Sequence, residues 1–294
     1  MPKFIMLVGI PASGKDTWAR EYIKNHPYTV IHSSDDIREE LYDNASCQES
    51  PAKVFELMRS RTLRDLRAGK DVIYNATNVS VKDRKGILNE IRHYFGEEIY
   101  TRALVFSTPL EICKEWNQKR ERTVPDFVYE KMLSRWQTPF YGEGFDNIEI
   151  INPAENTYNK KTYWREIAEK VKNFGSQKNP HHSLTLWEHC DKCGKIAFEK
   201  YGSQFPSLAA AIHDYGKIYT QSFDEAGIAH YYQHENFSGY LALSMGFQLE
   251  VAQLVNYHML CYNYKGGEAA WQNRLGEELW KKLEMLHDCD VLAH

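Results

Sequence analysis

Long hydrophobic runs are missing from this 294-residue chain: no stretch approaches the length of a membrane span. The apolar run near its start, Phe4 to Val8, is too short and unflanked for a secretory signal. Cysteine is scarce, with six residues in no regular framework. That excludes a disulfide scaffold and suits a reducing compartment, where buried thiols act as small apolar side chains. These absences together predict a cytoplasmic protein without membrane attachment. An excess of positive charge is also lacking, since the net charge is −4. Any nucleic acid must therefore be held by a local basic groove, not by the field of the whole molecule. Internal repeats and low-complexity tracts are absent as well. What remains, 43% hydrophobic and 26% charged residues, describes a globular protein long enough for two ordinary domains.

Phe4 to Val8 reads as a strand that runs into Gly9-Ile-Pro-Ala-Ser13-Gly14-Lys15-Asp16-Thr17, a GxxxxGK loop followed by helical spacing to Lys24. Strand, glycine loop and helix in that order make a phosphate cradle. Glycines let the backbone aim N–H groups at phosphate oxygens, Lys15 adds a cation, and the helix contributes its positive end. Gly9, Ser13, Gly14, Lys15, Asp16 and Thr17 are thus candidate nucleotide-binding residues. The position after the lysine normally carries a Ser or Thr hydroxyl for Mg²⁺. Here it is Asp16, a carboxylate that can ligate the metal directly, whereas Thr17 lies about 100° further round the helix.

Up to Ile151 short β-type runs (Val30 to Ser33, Asp71 to Tyr74, Tyr100 to Phe106, Asn147 to Ile151) alternate with helical stretches such as Ala52 to Ala68 and Ser80 to Phe95. The alternation predicts an α/β domain with a parallel sheet over residues 1–151, with ligands at the carboxyl ends of the strands. Gly69 is placed to close one helix and Ser80 to cap the next. A polar stretch with one amphipathic helix, Thr162 to Phe174, reads as a connector over 152–180. From His181 to His294 the apolar spacing is helical throughout, which predicts an all-α second domain.

At the end of the second predicted strand, Ser33-Ser34-Asp35-Asp36-Ile37-Arg38 sets an acid where a P-loop kinase needs a base, with a guanidinium one helical turn on. Taken with Gly9 to Arg20, Ala76-Thr-Asn78 and Asn117 to Pro125, this half of the chain resembles the kinase module of phage and bacterial 5′-hydroxyl polynucleotide kinases. The resemblance implies ATP, GTP or another NTP with Mg²⁺ as donor, Asp35 as general base and Arg38 on the acceptor phosphate. It further implies Arg120 as a lid contact to the nucleotide phosphates, with Arg122 as a second. The chain departs from that family at Asp16, at Asn75, where the family often has an acid, and at Trp116, where it has an arginine. Arg59, Arg61, Arg64 and Arg67, spread along one predicted helix, form a candidate nucleic-acid face or a solvated one.

The second domain carries His189, His213-Asp214, His234, His258 and Asp290, with Lys217 just after the His-Asp pair. Imidazoles and carboxylates are ligands for transition metals, and two ions can activate water and hold a phosphate between them. Trp187-Glu-His189, Ala211 to Lys217, Tyr232 to Ser238, Asn256-Tyr-His258 and Cys289 to Ala293 together resemble the HD phosphohydrolase superfamily. By that resemblance His189, His213, Asp214 and Asp290 form the core site, His234 and His258 complete a second one, and Lys217 neutralises phosphate. One or two ions of Mn, Co, Ni, Fe or Zn are expected. His230 is a rival to His234, and Asp288 to Asp290. Cys190 and Cys193 form a lone CxxC, which reads as packed thiols in the absence of a second pair.

The joint expectation is an enzyme that heals nucleic-acid ends, RNA foremost: a 5′-kinase fused to a metal-dependent phosphatase or 2′,3′-cyclic phosphodiesterase. No KxDG motif is present, so a separate RNA ligase is expected as partner, and self-association is left open. The alternatives are a small-molecule nucleoside or nucleotide kinase fused to a nucleotidase, and a nucleotide-sensing P-loop that regulates the HD enzyme.

Overall fold

The computed structural model describes residues 1–180, 183–263 and 267–293. His181 and His294, the expected ends of the second domain, lie outside the described residues. The chain divides into two compact units: one made of Met1–Val124 and Pro139–Pro153, the other of Pro125–Thr138 and Ala154–His294.

The first unit is built on five parallel strands, β1 (Lys3–Val8), β2 (Thr29–Ser33), β3 (Asp71–Asn75), β4 (Tyr100–Phe106) and β5 (Asn147–Ile151), in the order β2-β3-β1-β4-β5. The central strand β1 is buried at every residue after Lys3, as expected where helices cover both faces of a parallel sheet. Ile5, Leu7, Ala19, Ile73, Leu104 and Phe106 make one apolar cluster beneath the helix Lys15–Lys24, with Trp18 and Tyr22 packed against it. Because Leu7 and Ser33 both pair with Asn75, the strand ends carrying the P-loop, the Asp35 turn and Asn75 lie side by side. Local chemistry fixes the intervening helices: Gly69 adopts φ +78° just after Pro51–Arg67, and the Ser80 hydroxyl accepts the Asp83 N–H to cap Val81–Phe95.

The second unit is helical, with one short antiparallel ribbon: β6 (Ser222–Phe223) pairs with β7 (Ala229–His230). Strict all-α character is thus interrupted by four residues. Two features differ from the sequence reading. The amphipathic helix Lys160–Phe174, expected as a connector, buries Tyr163, Ile167 and Val171 and is grouped with the second unit. The segment Pro125–Thr138, expected within the first domain, is also grouped there. Asn236 Nδ2 donates to Ser134 O at 2.6 Å, Tyr257 Oη to Thr138 O at 2.7 Å, and Trp136 sets its ring edge against Tyr240. These partners are separated by more than a hundred residues of sequence, beyond the reach of any local signal. Among the described residues no helix is long and apolar enough to cross a membrane.

Candidate active sites

The P-loop has the backbone its glycines predict. Gly14 sits at φ +93°, and a Cβ there would meet Pro153 Cγ at 2.8 Å; a Cβ on Gly9 would meet Ser13 Oγ at 2.7 Å. Gly14 therefore requires glycine for its backbone, and at Gly9 a side chain would crowd Ser13 and Phe106. Lys15 is buried, with Nζ donating to Ile10 O at 2.7 Å and reaching Ser13 Oγ at 3.4 Å, so the ammonium is folded across the cradle. Burial lowers its pKa to about 8, against the opposing pull of Asp16 and Asp35.

Asp16 is half-exposed, and its Oδ1 accepts Asn75 Nδ2 at 2.7 Å. A carboxylate oxygen held at the start of the P-loop helix suits a hard cation such as Mg²⁺. Thr17 is exposed on the following helical position. Asp35 and Arg38 come together as their spacing predicts: the Ser33 hydroxyl caps the helix Ser34–Tyr42, and Arg38 Nη1 donates to Asp35 Oδ1 at 2.8 Å. Arg120 Nη2 lies 3.7 Å from Asp16 Oδ2, while Arg122, expected beside it at the nucleotide, reaches Asp35 Oδ2 instead at 2.5 Å.

The four arginines of Pro51–Arg67 have acidic or aromatic partners: Arg59 with Glu90, Arg61 in a bidentate pair with Glu40, Arg64 with Asp65, and Arg67 over the Tyr94 ring. They do not make an open basic groove.

In the second unit all six expected ligands converge. His189 Nε2 lies 3.4 Å from His213 Nε2 and 3.0 Å from Asp290 Oδ1, and Asp214 Oδ2 is 3.5 Å from both imidazoles. On the other side Asp214 Oδ1 is 2.9 Å from His234 Nε2 and 3.7 Å from His258 Nε2, which are 3.3 Å apart. Asp214 therefore completes a group of four with His189, His213 and Asp290 through one oxygen and a group of three with His234 and His258 through the other; His213, Asp214 and His258 also lie within ligand reach of one another, so the two groups adjoin. Ligand atoms about 2.1 Å from a shared ion lie about 3 to 3.5 Å apart, close to these spacings of 2.9 to 3.7 Å.

The imidazoles are also set in the correct tautomer. His213, His234 and His258 each place Nδ1 against a main-chain carbonyl, of Ala210, Tyr231 and Val255, at 2.7 to 2.8 Å. A carbonyl only accepts, so Nδ1 carries the hydrogen and Nε2 turns inward, where its lone pair serves an ion once that nitrogen holds no proton. Without an ion the cluster is electrostatically divided: burial, then His213 and His234, lower His258 to about 3, whereas Asp214 and Asp290 overcome burial and raise His213 to about 9. The donor set, its spacing and its tautomers fit transition-metal binding.

Lys217 Nζ lies 2.6 Å from Asp214 Oδ2 and 2.9 Å from Gln177 Oε1, buried beside the cluster and on a carboxylate. The rivals are elsewhere: His230 pairs with Asp224, and Asp288 with Lys200 and Tyr201. Cys190 and Cys193 are buried, their thiols pushed up by burial, and no candidate metal group among the described residues includes a cysteine. Sequence spacing gave no hint of three contacts: Asn75 on Asp16, Gln177 on Lys217, and Tyr262 Oη, which donates to Asp290 Oδ2 at 2.9 Å.

Residues 4–139 match the AAA domain family model. With the parallel sheet and cradle above, the fold of this part of the chain is of the P-loop kinase-like type. A bifunctional polynucleotide phosphatase/kinase of Schizosaccharomyces pombe is 25% identical over 174 residues, 56% of this chain and 37% of that protein. Human adenylate kinase isoenzyme 1 is 28% identical over 165 residues, 54% of this chain and 77% of that protein. Among solved structures, a chain of the Pnkp1/Rnl/Hen1 RNA repair complex is 25% identical, covering 46% of this chain and 43% of that one at a TM-score of 0.39. The chain spans about a third of the length of the curated polynucleotide phosphatase/kinases it matches.

Proposed function

We propose that this protein heals nucleic-acid ends, RNA foremost. The first unit phosphorylates a 5′-hydroxyl with an NTP, and the second removes a terminal phosphate or opens a 2′,3′-cyclic phosphate. The observation that carries the kinase half is Asp35, a half-exposed carboxylate next to the P-loop edge with a guanidinium on each oxygen. Asp35 accepts the proton of the attacking hydroxyl as the γ-phosphoryl group passes to that oxygen, while Lys15 and Arg120 offset charge on the donor. Asp16 is the residue that would hold Mg²⁺, which would supply positive charge against the donor phosphates. Similarity to polynucleotide phosphatase/kinases supports a nucleic-acid acceptor.

For the second half, an HD-type phosphohydrolase, the support is the seven ligand atoms divided by Asp214. Transition-metal ions, when bound, supply an activated water and a grip on phosphate. The chain's own part is to orient the Nε2 lone pairs, share Asp214 between the two groups, and keep Lys217 as a cation beside them. Breakage of RNA by metal-independent nucleases leaves a cyclic phosphate and a 5′-hydroxyl, so the two activities complement each other; a separate RNA ligase would complete the repair.

A second reading, a small-molecule nucleotide kinase joined to a nucleotidase, draws on the adenylate kinase match, which covers most of that relative. Labelled ATP offered with a 5′-hydroxyl oligonucleotide or with free nucleosides and nucleotides separates the two. Transfer to the oligonucleotide supports end healing; transfer to the small acceptors alone supports the second reading.

A further inference from the structure

The two arginines just before Pro125 reach different acids. Arg120 approaches Asp16, at the donor end of the cradle, at 3.7 Å, whereas Arg122 meets Asp35 Oδ2 at 2.5 Å. The other oxygen of Asp35 already accepts Arg38 Nη1 at 2.8 Å. One carboxylate thus faces two guanidinium groups, a surplus of one positive charge. The Arg38 side chain is 9% exposed and its buried Nε has no hydrogen-bond partner. An open donor on a desolvated guanidinium, beside surplus positive charge, is a site that an anion completes.

We propose that Arg122 is an acceptor-binding residue and not a nucleotide contact. With Arg38 it brackets Asp35 and receives the phosphate on the 3′ side of the nucleotide whose 5′-hydroxyl reacts. The acceptor is then the end of a nucleotide chain, and a free nucleoside, which lacks that phosphate, is a poor substitute. Asp35 fixes the geometry, since the group that takes the hydroxyl proton and the groups that grip the flanking phosphate touch each other. The proposal rests on the kinase reading above.

The test measures transfer from Mg·ATP to a nucleoside 3′-monophosphate, a 5′-hydroxyl oligonucleotide and a free nucleoside, with binding of a fluorescent ATP analogue measured in parallel. Wild type should favour the two phosphate-bearing acceptors. Arg122→Ala should raise KM for those two about tenfold to a hundredfold, as expected for loss of a hydrogen bond between charged groups. It should leave KM for the nucleoside and the affinity for the ATP analogue within about twofold. Arg122→Lys, a point charge without the planar fork, should fall between. Arg120→Ala should show the reverse pattern, weakening the donor. A selective loss of ATP-analogue affinity in Arg122→Ala, or an unchanged acceptor KM, overturns the assignment while the kinase reading stands. Wild-type protein that phosphorylates none of the three removes both.

Discussion

Asn75 Nδ2 donates to Asp16 Oδ1 across 2.7 Å, joining the last residue of β3 to the second residue of the P-loop helix. The amide fixes the carboxylate without neutralising it and leaves Oδ2 toward the cradle mouth, where Arg120 approaches. If Asp16 is the Mg²⁺ ligand, Asp16→Ala should lower phosphoryl transfer about a hundredfold or more, a loss of several kcal/mol of charge stabilisation. Asp16→Ser, which keeps an oxygen ligand, should retain or gain activity. A Mg²⁺ titration of each variant checks this, and a fully active Asp16→Ala shows that the carboxylate is not a needed ligand.

Separation of the two chemistries is the next expectation. Lys15→Ala, which removes a cation from the donor phosphates, or Asp35→Ala, which removes the positioned base, should reduce kinase activity by about 10²- to 10⁴-fold. Hydrolysis by the metal cluster should be unchanged, because its ligands belong to the other unit. Parallel assays on one preparation read both, and equal loss of the two activities refutes independence.

Lys15 gives a pH signature. Its folded pKa, lowered by burial to about 8, lies below the ordinary lysine value of 10.5. The unfolded chain therefore binds more protons between these values, and stability should rise as pH climbs from about 8 toward 10.5. Nucleotide binding runs the other way, since phosphate favours the charged ammonium. Above pH 8 binding should take up a proton and weaken. Calorimetry in buffers of different ionisation enthalpy measures that proton directly, and Lys15→Met should abolish its pH dependence.

What the sequence made legible was mostly local. The GxxxxGK loop needs glycine at Gly14 for its backbone and has little room beside Gly9, and Asp35 and Arg38 are neighbours because three residues make almost one helical turn. The gathering of four imidazoles and two carboxylates in the second unit was legible for another reason: such side chains recurring along one helical region have few alternative uses. Long-range pairings were not readable. Arg122 meets Asp35 across 87 residues and Asn75 meets Asp16 across 59. The grouping of Pro125–Thr138 with the second unit depends on Asn236, Asn256 and Tyr257, whose side chains carry no sequence mark of their partners.

Tyr262 is one such residue. Its hydroxyl occupies Asp290 Oδ2 and so turns Oδ1 toward His189 and His213. Outer partners of this kind are worth about ten- to a hundredfold in metal affinity. Tyr262→Phe should weaken metal retention by that factor in competition with a chelator while leaving the helical circular dichroism spectrum unchanged. Undiminished affinity would make the contact incidental.

Division of the ligands by Asp214 predicts an unequal response to their removal. His213→Ala and Asp214→Ala should abolish hydrolysis, since His213 completes the four-ligand group and Asp214 serves both. His234→Ala and His258→Ala remove ligands only from the three-ligand group, so they should lower the metal content by the second ion and slow hydrolysis without emptying the first site. Elemental analysis gives the stoichiometry. Chelation followed by Mn²⁺, Co²⁺ or Ni²⁺ should abolish and restore activity on 3′-phosphate or 2′,3′-cyclic phosphate ends. Protein that binds no ion and stays inert on every such end under those conditions would defeat the phosphohydrolase reading, and equal metal loss in His213→Ala and His258→Ala would defeat the two-group division.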